Sequence, residues 1–212
     1  MPYKPLLRGV SHLVACVAAL PVAIWLVHKT ADPQAARHAL VYAVTLIALF
    51  GVSAAYHRGP WGPAARVRMR RLDHATIFLF IAGTYTPICL EGIGGVLGDR
   101  LMVTIWIGAV FGVVQTLFWP GAPRALHVGT YVLLGWAGLV GMARVYDRLG
   151  AAGIGILVTG GVLYTIGAVV YARKRPDPFP RVFGYHEIFH ALVIIAGGCL
   201  FEVVRRCLNV AL

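Results

Sequence analysis

Residues 151–175 read AAGIGILVTGGVLYTIGAVVYARKR, twenty-two residues without a charge followed by three consecutive basic ones. About 20 apolar residues in a helix cross the hydrocarbon core of a bilayer. Only helices and closed barrels satisfy their own backbone donors and acceptors there. The run therefore predicts a transmembrane helix over 151–172 that ends at Arg173, Lys174 and Arg175. Working outward, apolar segments bounded by charges or Pro/Gly breakers recur at 10–28, 39–57, 74–91, 101–119, 125–143 and 186–204. The connections between them are short, and nothing shows the alternation of barrel strands. The expectation is an all-α, polytopic membrane protein, a seven-helix transmembrane bundle forming one domain over 1–212.

Composition agrees. The chain is 59% hydrophobic and 13% charged, with a mean hydropathy of +0.77, against about 25% charged residues in soluble domains. A net charge of +11 raises the question of nucleic acid, but no soluble domain is left to carry that role. Instead the basic residues lie in short runs between apolar segments. One side collects Lys4, Arg8, Arg58, Arg66, Arg68, Arg70, Arg71, Arg124, Arg173, Lys174, Arg175 and Arg181, twelve in all. The other collects Lys29, Arg37, Arg100, Arg144, Arg148, Arg205 and Arg206, seven in all. This asymmetry predicts a cytoplasmic N-terminus and an external C-terminus, in the inner (plasma) membrane of the cell. The basic stretch RVRMRR (66–71) either touches anionic lipid headgroups or only sets topology. The four cysteines form no C-x-x-C pair and read as small apolar fillers. Leu13–Cys16 resembles a lipoprotein cleavage box, but too short an apolar run precedes it; the first span is expected to stay uncleaved.

This topology gathers polar residues. Ser53 and His57 close span two, Asp73 and His74 open span three, and His186 and His190 open span seven. His12 and His127 fall at the same membrane face, whereas His28 and His38 mark the other. Ser53/His57 and His186/His190 are each spaced i,i+4, so each pair shares a helix face. His57 with the span-seven pair supplies three imidazoles, the count of a catalytic zinc site that keeps a fourth position for water. Asp73 can hydrogen-bond that water or orient a ligand, and ionisable groups inside membrane helices usually mark function. Blander readings stand beside these. Histidines at helix ends also sit in the headgroup layer, Asp73 can pair with Arg70 or Arg71, and Ser53 can bond its own backbone. For His12, His74 and His127 structural or interfacial roles are the simpler expectation.

The stretches SAAYH (53–57), RRLDHATIFLFIAGTYTP (70–87), GGVLYTIGAVVYARKRPDPFP (160–180) and FGYHEIFHALVI (183–194) resemble the bacterial hemolysin III proteins. These are grouped with the adiponectin and progestin receptors in one seven-helix family. The resemblance covers nearly the whole chain. It implies a zinc ion near the cytoplasmic face held by His57, His186 and His190, with Asp73 and Ser53 beside the metal and its water. The family's first motif often has Asn three residues before a Thr-His pair; here those places are Arg8 and Ser11-His12. Family members are also similar in arrangement to alkaline ceramidases, which implies hydrolysis of lipid amides.

His186-Glu187-Ile188-Phe189-His190 also fits the H-E-x-x-H pattern of zinc proteases. Such a protease needs a third ligand after the motif, and the sole acid there is Glu202. Twelve residues of helix place it about 18 Å away, out of reach. The third ligand is expected upstream, at His57. Glu187, where the family pattern also takes Gln, is expected beside the site or facing solvent. The leading functional expectation is a zinc-dependent hydrolase of membrane-lipid amides or esters serving lipid homeostasis, with Asp73 taking a proton from water and Ser53 orienting it. Pro87 predicts a kink in span three. With the many small residues, that kink can open a gap for an acyl chain. The alternatives are a non-enzymatic sensor or regulator of membrane state with structural zinc, and a pore-forming haemolysin. Membrane lipids are the expected partners.

Overall fold

The computed structural model describes residues 5–119 and 121–211; Lys4, counted above among the basic residues, lies outside them. The chain forms helices α1 (Val10–Lys29), α2 (Pro33–Arg58), α3 (Pro63–Pro87), α4 (Gly95–Phe118), α5 (Arg124–Trp136), α6 (Met142–Arg173) and α7 (Tyr185–Cys207). There is no β-strand among the described residues beyond one isolated bridge between Phe179 and Phe183. Six helical stretches are long and apolar enough to cross a membrane, and the longest, Leu126–Arg173, contains both the fifth and sixth predicted segments. The fold is thus a polytopic membrane helix bundle.

Helix starts follow local chemistry. The Asp32 side chain accepts from Ala35 N at 2.7 Å, a cap worth about 1 kcal/mol. Pro33 and Pro63 stand in the first turns of α2 and α3, where a missing N–H costs nothing. Pro87 acts as its chemistry requires inside a span. Regular α-helix stops there, and Ile88–Ile93 continues as a wider π-helical turn, closed by Gly94 N donating to Cys89 O at 2.9 Å. Proline removes one rung of the ladder, and a local change of pitch absorbs the loss.

The stretch Leu126–Arg173 is broken at Gly150, where φ is 67° and ψ is −173°. Only glycine adopts that region without strain of about 1–3 kcal/mol. Gly150→Ala is expected to lower stability by about that amount, read as a fall in detergent melting temperature. Gly155, with open space around its Cβ position, serves as the control: alanine there should be neutral or mildly stabilising.

Both ends of the bundle carry polar contacts. At one, the starts of α1, α3 and α7 meet the ends of α2 and α6. At the other, His38 Nδ1 lies 2.7 Å from Glu91 Oε1, and Glu202, on the same helix as His190 but about three turns further along, binds Arg205 and Arg206. Between the ends the interior is apolar, with Tyr42, Phe78, Ile105, Val203 and Val204 fully buried. Outward-facing Val14, Ile24, Val44, Ile107, Phe111 and Ile195 are exposed, as suits side chains that meet lipid rather than water. All four cysteines are free thiols.

Candidate metal centre

The polar end is assembled by local turns and caps together with long-range ties. Leu6 N and Leu7 N donate to Arg181 O and Val182 O at 3.0 and 3.2 Å, so the chain before α1 is laced to the loop before α7. Gly9 then turns with φ 79°, packed so close to His57 that any Cβ would sit 2.5 Å from that residue's own. At the start of α7, Glu187 Oε2 accepts from Gly184 N at 2.8 Å and Asp177 Oδ1 accepts from Tyr185 N at 3.0 Å, satisfying two otherwise orphaned donors. The other Glu187 oxygen receives Arg8 Nε. Glu187 is therefore buried and not solvent-facing; it anchors both the helix that carries His186 and His190 and the residue that stands in the first motif's Asn place.

That double contact makes Glu187 costly to truncate. Glu187→Ala removes a helix cap and strands a half-buried guanidinium, an expected loss of about 3 kcal/mol. Glu187→Gln keeps an acceptor for Gly184 and should lose less. Chemical or thermal unfolding of the two variants in detergent checks the order.

Three histidines converge here. The ligand atoms of His57, His186 and His190 all lie within 4.8 Å of one another, a group that can hold a metal ion. His186 Nε2 faces His57 Nε2 at 3.1 Å. Two nitrogens bound at 2.0–2.1 Å to one tetrahedral zinc stand about 3.3 Å apart, so this pair needs almost no adjustment. His190 is 2% exposed, and its Nδ1 is buried without a partner. Buried imidazole nitrogens left unpaired are costly, and a cation meets that need. The donor set fits a metal with a preference for nitrogen ligands.

Asp73 and Ser53 stand beside the cluster. Asp73 Oδ2 lies 3.9 Å from His57 Nε2, and the Ser53 hydroxyl pairs with the Asp73 carboxylate. Ser53 and Asp73 thus bond each other, and Arg70 acts on the carboxylate as a nearby charge. His12 joins this end from α1. It is 3% exposed, and its ring stacks on that of His190 with centroids 3.7 Å apart and planes 7° from parallel. Which way a lone histidine on α1 turns depends on the rotation of that helix in the bundle, so its spacing carried no signal. His74 meets Tyr171 OH at 3.3 Å, and the Tyr171 ring stands 5.6 Å from that of His186.

A cavity of ≈ 1530 Å³, counting its opening, starts at this cluster. His12, Ser53, Asp73, His186 and His190 line one part of it. The rest is walled by apolar and aromatic side chains of α3, α5, α6 and α7 as far as Ile88, Met142 and Val145.

A bundle of apolar helices with three histidines and an aspartate gathered at one end defines a class of integral membrane protein with a candidate metal centre. Residues 2–201 match the family described as Haemolysin-III related, and the chain belongs to that family. It is 30% identical over 204 residues to Hemolysin-3 of Bacillus cereus, covering 93% of this chain and 88% of that one. It is 27% identical over 200 residues to the Hemolysin-3 homolog of Bacillus subtilis (strain 168), covering 93% and 91%. It is also 26% identical over 206 residues to the Adiponectin receptor protein of Drosophila melanogaster, covering 88% of this chain and 46% of that one.

Proposed function

We propose that the chain is a zinc-dependent hydrolase of membrane lipids, acting on an amide or ester bond at the cytoplasmic end of a seven-span bundle in the plasma membrane. The observation that carries this is the continuity of polar cluster and apolar cavity: one space offers an aspartate and histidines at one end and hydrocarbon-like walls beyond. An acylated substrate has that same division. Seven spans are supported by the break at Gly150, since Leu126–Leu149 and residues 151–173 would each measure about 35 Å as helices, enough for one crossing apiece. Orientation is supported by the sequence's division of basic residues, twelve in the segments flanking the His57 and His186 ends of their spans against seven in the others, by the positive-inside rule.

His57, His186 and His190 would hold the metal. When bound, zinc supplies Lewis acidity and brings the pKa of a water toward about 7. Asp73 takes the proton released as water adds to the carbonyl carbon, then delivers it to the nitrogen or oxygen that leaves when the C–N or C–O bond breaks. Ser53, paired with Asp73, fixes the carboxylate's direction. The apolar walls hold the acyl chain and exclude bulk water. The test is to load purified protein with zinc and offer ceramides, simple acyl amides and phospholipid esters. Zinc-dependent release of fatty acid is expected, and no turnover of any of the three would end the proposal.

A second reading has one observation in its favour. A relative over most of this chain is named a receptor, which fits a sensor or regulator in which zinc only holds α2 to α7. That reading expects chelation to lower thermal stability while a variant without a proton acceptor keeps its cellular function.

A further inference from the structure

Beside the long cavity lies a second one of ≈ 800 Å³, counting its opening. Arg70 and Arg71 of α3, Thr116 of α4 and His127 of α5 line it, and among the described residues no acidic side chain does. His74, Tyr131 and Tyr171 line both cavities, so the two share a wall at the polar end of the bundle.

Three of these residues carry a buried polar atom without a partner: Arg71 Nε, Thr116 Oγ1 and His127 Nδ1. Thr116 is the most telling. Every other threonine in the chain turns its hydroxyl onto a backbone carbonyl three or four residues earlier, the usual resort of hydroxyls in apolar helices. Thr116, 3% exposed, does not. Arg71 is already held in place, since its Nη1 donates to Leu117 O at 3.1 Å over the last turn of α4. Its Nε remains unused. Unpaired buried donors cost about 1–3 kcal/mol each, and three around one basic, acid-free space call for a shared acceptor. These donors come from three different helices, so the acceptor has to present oxygens in several directions. A carboxylate offers them in one plane, a tetrahedral oxyanion in three dimensions.

We propose that this cavity is a phosphate-binding pocket in which Arg71, Thr116 and His127 donate to the oxygens of a phosphate group and Arg70 closes the rim. The phosphate arrives either on a lipid headgroup, whose acyl chain can then reach the neighbouring cavity, or as free inorganic phosphate. Binding requires no chemistry at the histidine cluster, so a phospholipid that binds without being cleaved would count against the ester-cleaving form of the hydrolase and leave this pocket standing.

The experiment titrates the purified full-length protein in neutral detergent with dioctanoyl phosphatidic acid, with dioctanoylglycerol and with inorganic phosphate. Saturable binding of phosphatidic acid is expected, weakened about tenfold or more by Thr116→Val and by Arg71→Gln, as for loss of one hydrogen bond to a charged group. Thr116→Val keeps the α4 contact of Arg71 and so covers the case in which Arg71→Gln misfolds. Displacement by inorganic phosphate alone, with the same sensitivity to substitution, assigns the pocket to the free ion; its failure to compete assigns the pocket to the lipid headgroup. Equal binding of phosphatidic acid and dioctanoylglycerol, or affinity for phosphatidic acid unchanged in both variants, overturns the proposal.

Discussion

Replacing His190 by alanine is expected to strip the protein of stoichiometric zinc. Three imidazoles are the minimum protein set of an open zinc site, and the substitution leaves the His57–His186 pair alone. Losing a residue that merely supports a ligand lowers metal affinity about 10–100-fold, so removing a ligand should exceed that range and bring fatty-acid release to background. Elemental analysis of protein purified without added metal reads the first effect directly. His12→Ala is the informative comparison. It removes the ring stacked on His190 at 3.7 Å but none of the three grouped ligands, so zinc should remain at reduced affinity. If His190→Ala retained a full equivalent of zinc, the three-histidine site would have to be abandoned.

Asp73→Asn should separate chemistry from metal binding. The amide has the carboxylate's shape and can keep a hydrogen bond with Ser53, yet it accepts no proton at neutral pH. Positioned general bases contribute about 10²–10⁴-fold to rate, and turnover should fall by that factor while zinc content and melting temperature hold. The carboxylate stands 3.9 Å from His57 Nε2 and is not one of the three residues whose ligand atoms all lie within 4.8 Å of one another, so its expected work is on a water beside the metal. Turnover within a few-fold of the unchanged protein would remove Asp73 from the mechanism. Intact cellular function alongside lost turnover would favour the sensor.

The long apolar runs were legible because lipid demands them: a spanning helix has to be apolar over its whole length, and that requirement is written locally. Pro87 was legible for the same reason, since its missing N–H disturbs a helix wherever it falls. The convergence of His57 with His186 and His190 followed once helix directions were known, because i,i+4 spacing and depth in the membrane confine each residue to one region. Other features depend on packing that no local pattern records. Gly150 is one of several glycines in GAAGIG, and nothing nearby marks it as the one that turns. Arg8 and Glu187 are 179 positions apart and meet only because the chain before α1 lies against the loop before α7. The second cavity was hidden for another reason: the orphaned Thr116 hydroxyl is recognised only by the absence of a bond that every other threonine makes.

The depth of the long cavity carries a metrical consequence. Its lining along α3 and the first residue of the π-helical turn runs from Asp73 to Ile88, fifteen residues and therefore about 22 Å along the helix axis, comparable to a long-chain fatty acyl group stretched out. With the reacting group held at Asp73 and the far wall set by Ile88, Met142 and Val145, the space would work as a ruler, favouring tails that reach the wall and turning away those that overrun it. A bulkier residue at Val145 would then shift the preferred tail toward fewer carbons without touching a single polar atom.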